Sequence, residues 1–387
     1  MRTEGLRVRA SPRSSWRTAH VPPISRIRSA DLPRPRDHRR SRDRAGQGTR
    51  PSRSRAHPGR DGARGRFRGR VPRFVKRVQL GVIMDSIESI EPSKDSTLAL
   101  LLEAQRRNWG ISYGRPEDIW VRDGEAFGRL TRLHVADDPS RWFSPLGAAS
   151  VVPLGGLDVI LMRKDPPFDT QYVVATYVLE RAEAGGTLVV NRPRGLRDVN
   201  EKAFLAWFAD CAPPTMISRS LEQMRAFLVE HGRVVVKPLD LMAGESVFVT
   251  DADDGNHNVV LEMVSAGGSR YAVVQKYVPE IVASGDKRIL LVDGEPVPHA
   301  LARIPPRGDH RGNLATGARA EVRPLTRRDR WICAQVAPVL RERGVLFAGI
   351  DVIGDFLTEV NVTSPAGIRE IERACGEPIA RRCLLYT

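Results

Sequence analysis

Leu346-Phe-Ala-Gly-Ile-Asp-Val-Ile-Gly-Asp-Phe-Leu-Thr-Glu-Val-Asn-Val-Thr-Ser364 consists of two apolar, β-rich runs joined at Gly354-Asp355, and its polar residues decide how the chain is read. Apolar strands seldom carry acids, because an unpaired buried charge is expensive. Asp351, Glu359 and Asn361 interrupt these runs and so call for a partner such as a cation. Three hard oxygen donors suit Mg²⁺ better than zinc. An edge hairpin with solvated acids is the competing reading.

Spacing adds geometry. Glu359 and Asn361 are two residues apart and point to one face of their strand. A three-residue loop over 354–356, with Gly354 or Asp355 near αL, makes residues 351 and 359 direct cross-strand neighbours. A two-residue loop pairs Asp351 with Thr358 and turns the acids to opposite faces, so the metal reading predicts the longer loop.

The formal charge of +15 and pI near 10.4 suggest a nucleic-acid partner until their distribution is considered. Residues 1–73 hold 22 Arg, no Lys and 5 acids, a balance of +17 that leaves the rest of the chain at −2. This segment, typified by Pro33-Arg-Pro-Arg-Asp-His-Arg-Arg-Ser-Arg-Asp-Arg44, lacks apolar periodicity, so residues 1–74 are expected to be a disordered extension. Using Arg alone fits translation upstream of the true start better than a nucleic-acid tail or a transit peptide. No nucleic-acid partner is expected.

The remaining residues suffice for two domains, taken as 75–200 and 201–387. No apolar run approaches a membrane span and no secretory segment is visible. Cys211, Cys333, Cys375 and Cys383 show neither CxxC nor zinc spacing and read as reduced thiols. A cytoplasmic location is expected.

Residues 77–84 form an apolar run followed by helical spacing over 96–107. A second run, 157–162, ends abruptly in Arg163-Lys-Asp-Pro-Pro-Phe-Asp169 before a helix over 170–184 and a third strand over 187–191. Alternation of this kind predicts a parallel α/β domain. Beyond residue 200, helices at 201–208 and 221–231 mix with short strands at 234–237, 246–250, 272–277, 287–292 and 297–304, which predicts an α+β half with antiparallel sheets. Residues 305–320 lack periodicity and contain three glycines, as a closing lid does.

Lys237 ends an apolar strand beside a turn-forming loop, where an ammonium and loop amides can meet phosphate oxygens. Snorkelling is the plainer reading. Arg288, in Gly285-Asp-Lys-Arg288, and Arg303, which ends the next strand, suit carboxylate or phosphate recognition. Arg163 and Lys164 sit at a strand end that α/β domains use for ligands, and could hold a substrate carboxylate.

Several runs, in order, are similar to bacterial glutathione synthetases of the ATP-grasp superfamily. They are Leu161-Met-Arg-Lys-Asp-Pro-Pro-Phe-Asp169, Asn200-Glu-Lys202, Lys237-Pro-Leu-Asp240, Gly285-Asp-Lys-Arg288, Asp293-Gly-Glu-Pro-Val-Pro298, Leu301-Ala-Arg-Ile-Pro305, Arg311-Gly-Asn-Leu314 and Asn361-Val-Thr-Ser-Pro-Ala-Gly-Ile-Arg-Glu-Ile-Glu372. The resemblance covers residues 76–379. It implies a parallel-sheet domain ahead of an ATP-grasp domain, and ligation of glycine to γ-glutamylcysteine with ATP as co-substrate.

It further implies ATP contacts from Lys202, Lys237, Gly244, Ser246, Asp286 and the segment Gln275-Lys276-Tyr277-Val278. Asp351, Glu359 and Asn361 would hold two Mg²⁺ ions, with Mn²⁺ able to substitute. Arg288 and Arg311 would act on the reacting carboxylate, and Arg163, Lys164, Arg303 and Ser364 would bind substrate. A homo-oligomer with no membrane partner is implied. The chain departs from the family pattern at Leu241 and Ala243, where glycines are expected, at Glu245, which places an acid near the phosphates, and after Ile379, where an amphipathic helix is expected. Another ATP-grasp carboxylate–amine ligase, or an ATP-binding protein with impaired turnover, is the alternative.

Overall fold

The computed structural model describes residues 77–242, 244–310, 312 and 317–387. The Arg-rich segment, Ala243, Arg311 and residues 313–316 lie outside the described residues, so the expectations for the extension, for Arg311 and for part of the lid are not addressed by it.

Gln79–Met84 is the centre of the first sheet. Gly110–Gly114 and Val159–Arg163 flank it in parallel, and Leu188–Val190 adds a further parallel strand. All but one residue of Gln79–Met84 are buried, as in a strand covered on both faces. The sheet is not purely parallel as expected: Glu125–Val135 runs antiparallel to Gly110–Gly114 and pairs with Ile119–Arg122, Phe143–Pro145 and Ser150–Pro153. Glu125–Val135 alternates buried and more exposed positions, the pattern of a strand covered on one face.

The helices begin where side chains satisfy their first amides. Asp169 accepts from Tyr172 N at 2.8 Å to start Thr170–Ala184, and Asp95 accepts from Leu98 N at 2.5 Å to start Ser96–Arg106. Thr326 and Asp329 form a reciprocal capping box at the head of Arg327–Glu342.

Beyond residue 200 two antiparallel sheets follow. The four-stranded sheet runs in the order Phe248–Thr250, Val234–Pro238, Ala272–Lys276, Thr215–Ser218, backed by Leu221–His231 and His257–Val264. The five-stranded sheet runs Arg319–Pro324, Glu295–Ile304, Asp286–Val292, Phe347–Ile353, Phe356–Asn361. The helix expected over 201–208 is instead a short 3₁₀ segment, Ala203–Trp207.

One apolar core joins Leu179 and Ile160 of the first region to Ile289, Ile350, Val360 and Ile332 around the five-stranded sheet. Full burial of each such side chain contributes about 2 kcal/mol. Buried Asn191 fastens the same boundary: its Nδ2 donates to the carbonyls of Phe347 (2.7 Å) and Val362 (2.8 Å), and its Oδ1 accepts from Phe347 N at 2.8 Å. The C-terminal residues pack as well. Ile379–Cys383 is helical, Ile379, Ala380 and Cys383 are buried, and Arg107 donates to the carbonyls of Leu384 and Arg381. All four cysteines are free. Among the described residues no helix is long and apolar enough to cross a membrane.

Candidate active site

A cavity of about 490 Å³ is lined by residues from both antiparallel sheets and, on one wall, by Asp165 and Pro166 of the first region. Its floor is the 346–364 hairpin. Ile353 pairs with Phe356, so only Gly354 and Asp355 turn the chain, and the expected three-residue loop is not present. Gly354 takes the left-handed conformation the tight turn requires, with φ +57°. The predicted facing nevertheless occurs, because Val352 pairs with Leu357 while Asp351 pairs with Glu359. Thr358 is the extra residue of a β-bulge, which restores the facing that a two-residue turn alone would lose.

Asp351 is buried and clamped. Arg288 donates from Nε to Oδ1 at 2.5 Å and from Nη2 to Oδ2 at 2.9 Å, Arg303 Nη2 lies 3.0 Å from Oδ2, and Asn361 Nδ2 donates to Oδ2 at 3.1 Å. Burial disfavours its charge, but Arg288 and Arg303 overcome that and hold the carboxyl well below the usual carboxylate range. Arg303 also forks onto Asp286, Nε to Oδ1 at 2.7 Å and Nη2 to Oδ2 at 2.6 Å. Burial opposes the Arg303 charge as well, yet Asp286 and Asp351 raise its pKa and keep it a cation.

On the other side of Glu359 stand two buried lysines. Lys202 Nζ lies 3.9 Å and Lys237 Nζ 3.7 Å from Glu359 Oε1, and each also donates to a carbonyl, of Leu241 (2.5 Å) and Thr358 (3.2 Å) respectively. Burial lowers the Lys237 pKa, Glu359 works against that and Lys202 adds to it, leaving the Lys237 ammonium short of negative charge.

The chemistry of the donor set fits a hard divalent cation. Asp351 Oδ1 accepts one hydrogen bond, and Asn361, donating through Nδ2, keeps its carbonyl oxygen for another partner. Among the described residues no three His, Cys, Asp or Glu side chains gather into a metal-binding group, so the set reaches three donors only with the Asn361 amide.

Gly244, Gln275, Lys276, Tyr277, Val278 and Ser364 also line the cavity, while Ser246 does not. Tyr277 carries Arg233 over its ring at 4.8 Å and shares a 2.9 Å hydrogen bond with His310 Nδ1. Leu241 and Glu245 both line the wall.

Arg163 and Lys164 do not line the cavity. Arg163 is buried, donating to Thr97 Oγ1 and to the Pro365 carbonyl, both at 3.1 Å, and Lys164 pairs with Asp85 at 3.0 Å. Strand position alone does not distinguish a cation that faces ligand from one that ties two segments together. Two acids that the sequence reading gives no role line the cavity. Buried Glu201 accepts from Val362 N (3.0 Å), Thr363 N (3.2 Å) and Thr363 Oγ1 (2.8 Å) through one oxygen, fixing the loop after the hairpin. Asp165 is the other, and adjacency to recognised motif residues was the available signal for both.

Two antiparallel sheets closing on a cleft of paired lysines, forked arginines and strand-borne acids define an ATP-grasp ligase. The family model for the ATP-grasp domain of prokaryotic glutathione synthetase matches residues 201–376, and that for its N-terminal domain matches residues 78–197. Glutathione synthetase of Pseudomonas aeruginosa is 55% identical over 297 residues, covering 77% of this chain and 93% of that protein. The glutathione synthetase of Escherichia coli strain K12 is 51% identical over 295 residues, covering 76% and 93%. A crystal structure of D-cycloserine synthetase shares the fold, with a TM-score of 0.57 at 17% identity over 79% of this chain and 97% of that one. The chain belongs to the prokaryotic glutathione synthetase family.

Proposed function

We propose that the cleft joins glycine to the cysteinyl carboxylate of γ-glutamylcysteine, producing glutathione, ADP and phosphate through an acyl phosphate. A carboxylate is a poor electrophile, so its oxygen first takes the γ-phosphoryl group of ATP, and ADP departs. The glycine amine then attacks the carbonyl carbon, phosphate leaves, and the amine loses its proton.

The observation that carries this reading is the placement of two buried lysines, two forked arginines and the Asp351–Glu359 pair on one cavity. Lys202 and Lys237 receive the phosphates, with the backbone at Gly244, which lines the cavity, beside them. The backbone of residues 275–278 borders the adenine. Arg288 and Arg303 stabilise charge on the reacting carboxyl, with Asp286 orienting Arg303. Asp351, Glu359 and Asn361 would hold Mg²⁺, with Mn²⁺ as substitute, and the ion would supply positive charge to offset that of the phosphates. Asp309, His310 and Gly312 line the cavity and help to exclude water from the acyl phosphate. Ser364 meets substrate. The protein works in the cytoplasm as a homo-oligomer, which light scattering on the purified protein tests.

The activity test supplies ATP, Mg²⁺, γ-glutamylcysteine and glycine. One phosphate is expected per glutathione formed, with ADP release falling sharply when glycine is left out. Nucleotide binding without ligation of any acceptor would overturn the proposal.

A further inference from the structure

The acids of the cleft wall are almost all committed. Glu201 is taken by Thr363 and the Val362 amide, Asp286 by Arg303, and Asp351 by Arg288. Glu359 faces the two lysines, Asp309 accepts from the His310 amide at 2.7 Å, and Glu245 lies in the loop that follows Leu241, on the lysine side. Asp165 differs because it stands on the wall supplied by the first region, beside Ser364, Pro365 and Ala366.

Its backbone is fixed at three points. Asp165 N donates to Asp85 Oδ2 at 2.9 Å, its carbonyl accepts from Lys164 Nζ at 2.6 Å, and two prolines follow. Ser364, on the same wall, favours the charged form of its carboxyl. A carboxylate offers about four acceptor positions, so most of them remain for a ligand. Arg163 is near enough to be felt electrostatically, but its guanidinium donates to Thr97 and Pro365. Burial pushes the Asp165 carboxyl up, with Arg163 working against that and Asp85 and Asp95 adding to it. A cationic ligand would relieve the cost.

We propose that Asp165 binds the α-ammonium of the γ-glutamyl substrate and so determines which acid the cleft accepts; this rests on the ligation described above. The chemistry selects that group over the other amine. Glycine has to lose a proton before attack, so a fixed anion that stabilised its ammonium form would oppose the step. The dipeptide α-ammonium takes no part in bond making and stays charged throughout. Wall cations at Arg163 and Lys164 would have selected a carboxylate, whereas the structure presents an anion instead.

The test pairs Asp165→Asn with a change in the substrate. Initial rates are measured for both proteins with γ-glutamylcysteine and with the glutaric acid amide of cysteine, in which hydrogen replaces the α-amino group. Asp165→Asn is expected to raise KM for γ-glutamylcysteine about tenfold to a hundredfold, leaving KM for glycine and ATP within about threefold. The wild-type protein should pay a similar factor for the analogue, and the variant should distinguish the two acids far less. Three results overturn the proposal: a rise in the glycine KM instead, a loss of kcat or Tm with the dipeptide KM unchanged, or wild-type protein that uses the analogue as well as the dipeptide. The last decides even if the variant does not fold. Failure of the wild type to make glutathione at all would instead reject the ligase reading.

Discussion

Asp351 and Glu359 face each other across the hairpin although only two residues turn the chain, because Thr358 bulges out of the ladder between them. The bulge brings both carboxylates to the floor of the cavity, where arginines hold one and lysines approach the other. This relationship supports four expectations.

Glu359 is partly exposed and makes only loose ion pairs, so its charge matters more to chemistry than to folding. Glu359→Gln is expected to lower kcat about a hundredfold at fixed Mg²⁺, in the range typical of lost metal-site interactions, with Tm nearly unchanged. A variant that keeps full Mg²⁺-dependent turnover would remove the metal role from this residue.

Lys237 carries a cation that burial disfavours. Its folded pKa lies below the unfolded one, so charging it costs stability at neutral pH, and the cost fades as pH rises toward the ordinary lysine value of about 10.4. Lys237→Met should therefore leave nucleotide-free Tm unchanged or higher while raising KM for ATP about tenfold or more. Thermal scans without ATP, set against ATP titrations, separate the two effects. A large fall in Tm would show that the lysine serves the fold.

For Asp351 the sign is reversed. Arg288 and Arg303 hold its carboxyl below the ordinary range, so the stabilisation is complete above about pH 4 and is lost as pH falls through the folded value. Asp351→Asn leaves Arg288 without its anion, while Arg303 keeps Asp286, and should cost about 3–5 kcal/mol at neutral pH. Urea unfolding of both proteins should show that gap narrowing below about pH 4. A gap that is absent at neutral pH, or unchanged at about pH 2, would contradict the pairing.

Leu241 lines the cavity and offers its carbonyl to Lys202 at 2.5 Å. Glycine at this position would let the loop backbone approach phosphate more closely. Leu241→Gly is expected to lower KM for ATP severalfold with kcat little changed. An increased KM would mean that the leucine holds the loop, and with it Lys202, in place.

The sequence by itself determined what is local. Helices Thr170–Ala184 and Leu221–His231 match the residues read from apolar spacing, because Asp169 and Ser220 satisfy their first amides from within the same stretch. The two acids and the amide on the last hairpin are legible as oddities of composition, and the motifs alone point to Lys202, Lys237, Arg288 and Arg303 as ligand-binding residues. Glu125–Val135 was not recognised, even though its burial alternates, because Gly128 and several charged residues weaken the apolar pattern. Only the tertiary structure decided the rest. Whether residues 351 and 359 meet depends on a bulge at Thr358, since a one-residue change of register alters no composition but moves a side chain to the opposite face. Whether a cation at a strand end serves ligand or fold depends on what the rest of the chain brings to it. Arg163 meets Thr97 and Pro365, far away in sequence, and Asp165, two residues on, is left facing the cavity.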